Sequence, residues 1–237
     1  MQIRVLFDKK AQDNNLKVGW GLSLLVEGKI LFDTGENGDW LIDNIKELKI
    51  ETGKLEAVVI SHDHWDHTGG LWEILDKKKG LKVYACLGFS REFKEKVRNF
   101  GGELIELDKL TEIAKNIYVS GEISGVYNEQ HLPEQALILK TAKGLSVLTG
   151  CAHPGIIKIL EKVKAEFPKQ KLYSVFGGFH LGGTDRRIIE IMAEKFKEMG
   201  VEKAGPTHCS GQEAEEIFKK RYGNNFITVK VGQVIEA

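Results

Sequence analysis

Within the run Ser61-His62-Asp63-His64-Trp65-Asp66-His67-Thr68-Gly69-Gly70, four good metal ligands occupy six positions as His62-x-His64-x-Asp66-His67. Imidazole nitrogen and carboxylate oxygen are donors that zinc, iron and manganese accept, so this crowding points to a metal site. The chain holds 7 histidines in 237 residues, and at that usage chance produces such a pattern roughly a few times in ten thousand. A surface histidine cluster, or loop histidines satisfied by backbone, is the plain alternative, and the length of the motif weighs against it. Three imidazoles and a carboxylate exceed what one tetrahedral ion with an open position can use. The run therefore predicts two metal positions, with His64 central to the first.

Such ligands need a scaffold that converges them. Leu55 to Ile60 is a short β-branched apolar stretch with the length of a buried strand, and Gly69-Gly70 precede an amphipathic segment, which places the motif on a strand-to-helix loop. Strand-like runs at 2–7, 20–26 and 29–33 and a helical pattern at 38–49 come before it; strands at 82–86 and 103–107, around a helix from Ser90 to Phe100, come after. The second half has strands near 117–120, 136–141, 144–149, 172–176 and 226–235, with helices at 155–166, 185–199 and 211–221. No linker rich in proline, serine or glycine separates the halves, so one domain over residues 1–237 is expected, with two mixed sheets face to face and helices outside.

At His62-x-His64-x-Asp66-His67 the chain resembles the metallo-β-lactamase superfamily, whose first metal motif has this form in the same setting. The segment Gly21 to Gly35, ending in Phe32-Asp33-Thr34-Gly35, looks like that superfamily's opening hairpin and Asp-Thr-Gly turn. Thr149-Gly150-Cys151-Ala152-His153-Pro154-Gly155, Gly177-Gly178-Phe179-His180-Leu181 and Pro206-Thr207-His208-Cys209-Ser210-Gly211 are similar to the group named for dihydropterin-ribofuranosylaminobenzene 5′-phosphate synthase. The resemblance implies an α/β fold, the αββα four-layer sandwich of two mixed β-sheets flanked by helices, with its site along one edge. It assigns His62, His64 and His153 to a first metal and Asp66, His67 and His208 to a second, with zinc as the leading ion, one or two per chain, and iron or manganese as alternatives.

Several positions stay open at this level. His131 of Glu129-Gln130-His131-Leu132-Pro133 competes with His153 as third ligand, and in that alignment Cys151 takes the position where many relatives carry a bridging aspartate. With His153 chosen, the only aspartate between it and His208 is Asp185, which opens a helix, so Cys151 or His180 is expected to compensate or the second metal to be weak. His180 also suits a general acid beside Asp66, or is a histidine satisfied within its loop. Asp33 is placed to fix the tautomer of a ligand imidazole, or simply serves its turn. Trp20 and Trp65 stand close enough to line a pocket.

The loop Phe176 to Arg187 is rich in glycine and feeds a helix. Gly182 and Gly183 would let backbone N–H groups approach an anion and Arg186 and Arg187 would grip it, or the segment is a helix entry capped by Thr184 or Asp185.

Charge and composition narrow the class. There are 34 basic and 34 acidic residues, so no global field attracts nucleic acid or an anionic membrane. No apolar run reaches the roughly 18 residues of a membrane span, the start lacks an export signal, and three cysteines form no disulfide framework; a cytoplasmic protein is expected. The expected activity is that of a metal-dependent hydrolase, or hydrolase-like transferase of pterin (methanopterin-type) biosynthesis, on a small anionic, phosphorylated molecule. An iron-dependent redox enzyme and a non-catalytic, metal-stabilised ligand sensor are the alternatives; His64 stands where diiron relatives carry Glu, which counts against the first.

Overall fold

Apolar residues two apart along each strand face the same way, and this alternation builds the layers. The computed structural model describes residues 1–237. The first half runs β1 (Gln2–Phe7), β2 (Ser23–Val26), β3 (Ile30–Phe32), α1 (Gly38–Glu47), β4 (Ala57–Val59), α2 (Trp65–Thr68), α3 (Leu71–Lys77), β5 (Lys82–Cys86), α4 (Arg91–Asn99) and β6 (Glu103–Leu107). The second runs β7 (Thr111–Ala114), β8 (Ile117–Val119), β9 (Val126–Tyr127), β10 (Gln130–His131), β11 (Leu137–Thr141), β12 (Gly144–Thr149), α5 (Ile156–Glu166), β13 (Leu172–Gly178), α6 (Arg186–Glu198), β14 (Lys203–Thr207), α7 (Gly211–Tyr222) and β15 (Val234–Glu236).

One mixed sheet has the order β15-β1-β2-β3-β4-β5-β6, and the other β14-β13-β12-β11-β8-β7, with β9 and β10 forming a separate hairpin. Val5, Leu24, Phe32 and Val59 of the first sheet meet Val119, Leu137, Leu148 and Phe176 of the second in a buried layer between the sheets. Their strand neighbours turn outward: Leu6, Leu25, Leu31 and Val58 pack under α1, α3 and α4, whereas Ile138, Val147 and Val175 pack under α5, α6 and α7. The result is the expected αββα sandwich. Each fully buried Leu, Ile, Val or Phe contributes on the order of 1.5–3 kcal/mol relative to exposure.

Parallel pairing sets the site. In β3 and β4, Phe32 stands beside Val59, so Asp33 and Ile60-Ser61 leave the sheet side by side. In β12, β13 and β14, Thr149 stands beside Gly177 and Gly178 beside Thr207, so the segments beginning at Gly150, Phe179 and His208 emerge together at the same edge.

Some expectations need correction. The strand expected at 226–235 exists as β15 alone; Phe226 and Val231 make isolated bridges to Ala204 and Ala11, and Gly232 at φ 92° interrupts the run. The strand expected at 20–26 begins at Ser23, and Asp66 and His67 lie on the single helical turn α2 rather than on a loop.

Candidate metal centre

The edge where the two sheets release their parallel strands gathers eight ligand-type side chains. Ligand atoms of His62, His64 and His153 form one group within 4.8 Å of one another, and those of Asp66, His67, Cys151 and His208 form a second. Cys151 also joins His153 and His180 in a third, so it stands between the first two. His67 Nε2 lies 3.2 Å from His208 Nε2, 3.4 Å from Cys151 Sγ and 3.5 Å from Asp66 Oδ2; His208 Nε2 lies 3.2 Å from Asp66 Oδ2.

Buried hydrogen bonds orient these rings. Asp33 is wholly buried and accepts from Ser61 N at 2.6 Å, Ser61 Oγ at 2.7 Å and His67 Nδ1 at 2.7 Å. Ser61 gives its only hydroxyl proton to Asp33, so at 2.8 Å it accepts from Nδ1 of His62. Both imidazoles then carry a proton on Nδ1 and turn Nε2 inward. His62 Nε2 and His153 Nε2 are buried without any hydrogen-bond partner. An orphaned acceptor of this kind is rare unless something binds it, and two such nitrogens beside the Asp66–His67–Cys151–His208 group fit a cation well.

Electrostatics agree with that fit. Burial, and then the neighbouring imidazoles, hold His62 well below the usual histidine range and push His153 down to about 3, so both rings are neutral donors. Burial also lowers His64, against the opposing pull of Asp66. Burial alone would lower His67, but the Asp33 and Asp66 carboxylates outweigh it and hold the ring up at about 10; in the metal-free chain a proton occupies the cation's place. Burial would raise Asp66, yet hydrogen bonds from His208 and His67 hold it well below the usual carboxylate range. The hydrogen bond with Cys209, and then burial, push the Cys151 thiol up.

The ligand loops are strained to achieve this. Asp33, Ala152, His180 and His208 take φ values of 58°, 63°, 52° and 52°. For residues other than glycine the left-handed region costs of order 1–3 kcal/mol each and clusters at functional sites. Gly150 marks the closest approach: a Cβ there would lie 2.0 Å from Ser61 Oγ.

Other expected residues sort clearly. His131 is exposed on the β9–β10 hairpin and joins no ligand group, whereas His153 lies with His62 and His64. His180 is exposed, with its ring 4.5 Å from that of His153. Trp20 packs 5.1 Å from His208, and Trp65 is 62% exposed beside the motif.

The glycine-rich loop is a correction. Gly182 N–H donates to Cys209 O at 3.1 Å, and Asp185 caps α6 by accepting from Arg187 N, so neither donor is left for an anion. Gly183 lies in the open at φ 75°. Arg186 pairs with Glu190 at 3.1 Å and Glu213 at 3.2 Å, and Arg187 is exposed on the same helix.

Sequence reasoning missed Tyr127, whose ring lies 4.9 Å from His64 and 5.0 Å from His153, and Glu134, which reaches the loop bearing Cys151 and His153. Turn residues flank the first, and the Glu-Gln pair before β11 is the only signal for the second.

Comparison with known proteins places this geometry. The chain is 28% identical over 262 residues to 7,8-dihydropterin-6-methyl-4-(β-D-ribofuranosyl)-aminobenzene-5′-phosphate synthase of Methanocaldococcus jannaschii, covering 91% of this chain and 89% of that protein. An uncharacterised protein of the same organism is 28% identical over 263 residues, covering 98% and 99%. The crystal structure of a metal-dependent hydrolase of the β-lactamase superfamily superposes with a TM-score of 0.82 at 31% identity, over 100% of this chain and 99% of that one. The family model described as the metallo-beta-lactamase superfamily matches residues 20–129, the part that carries the opening hairpin and the first four ligands. Since the remaining ligands emerge from the second sheet of the same sandwich, and the solved relative matches along the whole length, the chain belongs to the metallo-β-lactamase superfamily.

Proposed function

We propose that the chain is a metal-dependent hydrolase, or a synthase working through the same chemistry, that uses two divalent cations, zinc foremost, on a small anionic substrate. The observation that carries this reading is the pair of buried, partnerless nitrogens, His62 Nε2 and His153 Nε2, beside the close His67–His208 pair. His62, His64 and His153 would hold one cation and Asp66, His67 and His208 the other, with Cys151 reaching both in place of a bridging carboxylate. When bound, such cations supply Lewis-acid polarisation of the electrophile and acidify a water.

The chain's own residues supply the rest. Asp33 holds His67 and, through Ser61, His62 in the tautomer that donates from Nε2. His180 stands at the rim, and its hydrogen bond with Cys209 raises its ring above the usual histidine range, which favours the protonated form that can pass a proton to a leaving group. Tyr127, Trp20 and Trp65 would wall the substrate. A phosphorylated, pterin-linked substrate is supported by the name of the methanogen relative, and the cationic Lys9, 5.4 Å over the Trp20 ring, suits an anion. Both halves of the chain give ligands to one centre, which supports reading residues 1–237 as one domain.

The test is metal content by mass spectrometry, before and after exposure to zinc, manganese and iron, with a screen of phosphoesters, lactones and thioesters. Bound metal lost in His64→Ala, together with all activity, is the expected result. Protein that repeatedly contains no transition metal and rejects all three would overturn the reading.

A further inference from the structure

Glu134 and Gln135 follow the β9–β10 hairpin and lead into β11, and both are fully buried at 0% exposure. Glu134 is a carboxylate whose hydrogen-bond partners are backbone donors alone. Its Oε1 accepts from Cys151 N at 3.0 Å and Ala152 N at 2.8 Å, and its Oε2 accepts from His153 N at 2.8 Å. Three consecutive N–H groups converge on one point because Ala152 takes the left-handed conformation, a concave arrangement that calls for an anion. Gln135 points the other way, as successive residues of an extended chain must. Its Nε2 donates to Ile60 O at 2.8 Å and Tyr84 O at 3.1 Å, and its backbone N–H donates to Ser61 O at 2.8 Å.

We propose that this dipeptide is a clamp joining the two ligand loops: Glu134 fixes the loop that presents Cys151 and His153, and Gln135 fixes the strand end that presents His62. The inference rests on the metal-centre reading above. The physical case is the expense of the arrangement, since a buried carboxylate without a cationic partner is poorly suited to mere packing, where an apolar side chain of similar size serves better. What an apolar residue cannot do is hold three N–H groups of one turn at fixed positions while its neighbour holds the opposite sheet. The first cation's ligands come from both sides of that joint, His62 and His64 from one sheet and His153 from the other, so the joint sets their spacing. Glu134 and Gln135 are thus positioning residues, acting through His153 and His62.

The experiment measures zinc affinity by competition with a chromophoric chelator, alongside thermal unfolding of the metal-free protein. It compares the wild type with Glu134→Gln, which sets an amide N–H against a backbone N–H, and Gln135→Met, which removes the donors to Ile60 and Tyr84. Each variant should bind zinc roughly 10- to 100-fold more weakly, the usual scale for residues that orient metal ligands. The readout that separates positioning from bulk stability is non-additivity. In a Cys151→Ala, His153→Ala background, Glu134→Gln should weaken zinc binding by no more than about threefold further, because both ligands that it positions are already gone. If Glu134→Gln does not accumulate folded, Glu134→Asp, one methylene too short to reach all three N–H groups, takes its place with the same expectations. A wild type that takes up neither zinc, manganese nor iron overturns the metal centre itself. A wild type that binds zinc while both variants bind within about threefold of it, or in which Glu134→Gln loses equal affinity with and without Cys151 and His153, overturns the clamp and leaves the centre standing.

Discussion

Replacing Asp33 by Asn changes no volume and one charge, yet it should reverse the hydrogen-bond polarity around two ligands. Asp33 Oδ2 accepts from both Ser61 Oγ and His67 Nδ1, each at 2.7 Å. In Asp33→Asn the amide oxygen can stay on Ser61 N, which puts an NH2 group where Oδ2 stood. That group donates, so His67 Nδ1 must accept: in the metal-free protein the ring gives up its Nδ1 proton and keeps the one on Nε2, the atom facing Asp66, Cys151 and His208. Ser61 Oγ must also accept, which turns its own proton towards His62 Nδ1 and pushes the His62 proton to the nitrogen now buried and bare. Hydrogen bonds to a charged acceptor are worth about 1.5–3 kcal/mol, so two lost or inverted bonds amount to roughly 3–6 kcal/mol. That corresponds to a loss of roughly 10²- to 10⁴-fold in zinc affinity, in line with about 10- to 100-fold for each ligand whose orienting partner is lost. Ser61→Ala, which removes the His62 acceptor and one donor to Asp33 but leaves Asp33 on His67, should lose a single such factor. Chelator competition gives the affinities, and imidazole nitrogen chemical shifts in the metal-free protein give the tautomers. Zinc binding within about threefold of wild type, an unchanged tautomer at His62, or a His67 ring still protonated on Nδ1 would refute the relay.

Gly150→Ala should lower the unfolding temperature of the metal-free protein, because its Cβ would stand 2.0 Å from Ser61 Oγ and 3.1 Å from Asp33 Oδ2; overpacking of this kind costs about 1–3 kcal/mol, or roughly 2–12 °C for a chain of this size, and an unchanged Tm would contradict it. Cys151→Ala should weaken zinc binding by roughly 10- to 100-fold, whereas His180→Ala should keep the metal count and lower kcat by roughly 10²- to 10⁴-fold; the opposite pattern would exchange the two roles. His67, raised from 6.5 to about 10 in the metal-free fold, must release its proton to bind a cation. The stability that this proton confers is fully present below 6.5 and is lost as pH rises through about 10, while zinc affinity should rise at least about tenfold per pH unit between roughly pH 7 and 9; a flat affinity profile would exclude the protonated ring. Arg186→Ala and Arg187→Ala should leave phosphate-bearing substrates bound within about threefold, as substitutions of exposed helix residues do, and a larger loss would restore the loop as an anion site.

What the sequence made legible follows from where the chemistry resides. Ligands of the first motif are side chains packed into six residues, so their types and spacing are visible together. Glu134 and Gln135 hold backbone groups, which every residue possesses, and nothing at Cys151, His153, Ile60 or Ser61 announces the partner. Tyr127 reaches His64 and His153 through a two-residue turn at Asn128 and Glu129, both at positive φ, and a glutamate there is not a turn signal. The alternation Ile227, Val229, Val231 is real, and all three are buried. It reports a burial face and not a pairing partner, so it reads as strand where the chain makes only isolated bridges. In the glycine-rich loop the pattern of an anion cradle and that of a capped helix entry coincide, and only the use of Gly182 N–H by Cys209 O separates them.

The location of the strain links fold to site. Four residues other than glycine in the left-handed region, Asp33, Ala152, His180 and His208, sit within or beside the ligand loops, each just past the end of a parallel strand. A strand end alone would send successive side chains to opposite faces. One left-handed residue at the exit, Ala152, bends the chain so that the N–H groups of Cys151, Ala152 and His153 converge on Glu134, which holds the turn from behind. The sandwich thus stabilises in its three apolar layers what it gives up at the edge: strained turns, crowded imidazoles and a buried carboxylate. Cation binding would recover part of that loss, because the bare nitrogens of His62 and His153 gain a partner. Ligand linkage then implies that metal stabilises the fold by about 4 kcal/mol at a free concentration of roughly 1,000 Kd. Variants that relax the edge, such as Ala152→Gly at φ 63°, should raise the stability of the metal-free chain more than that of the loaded one.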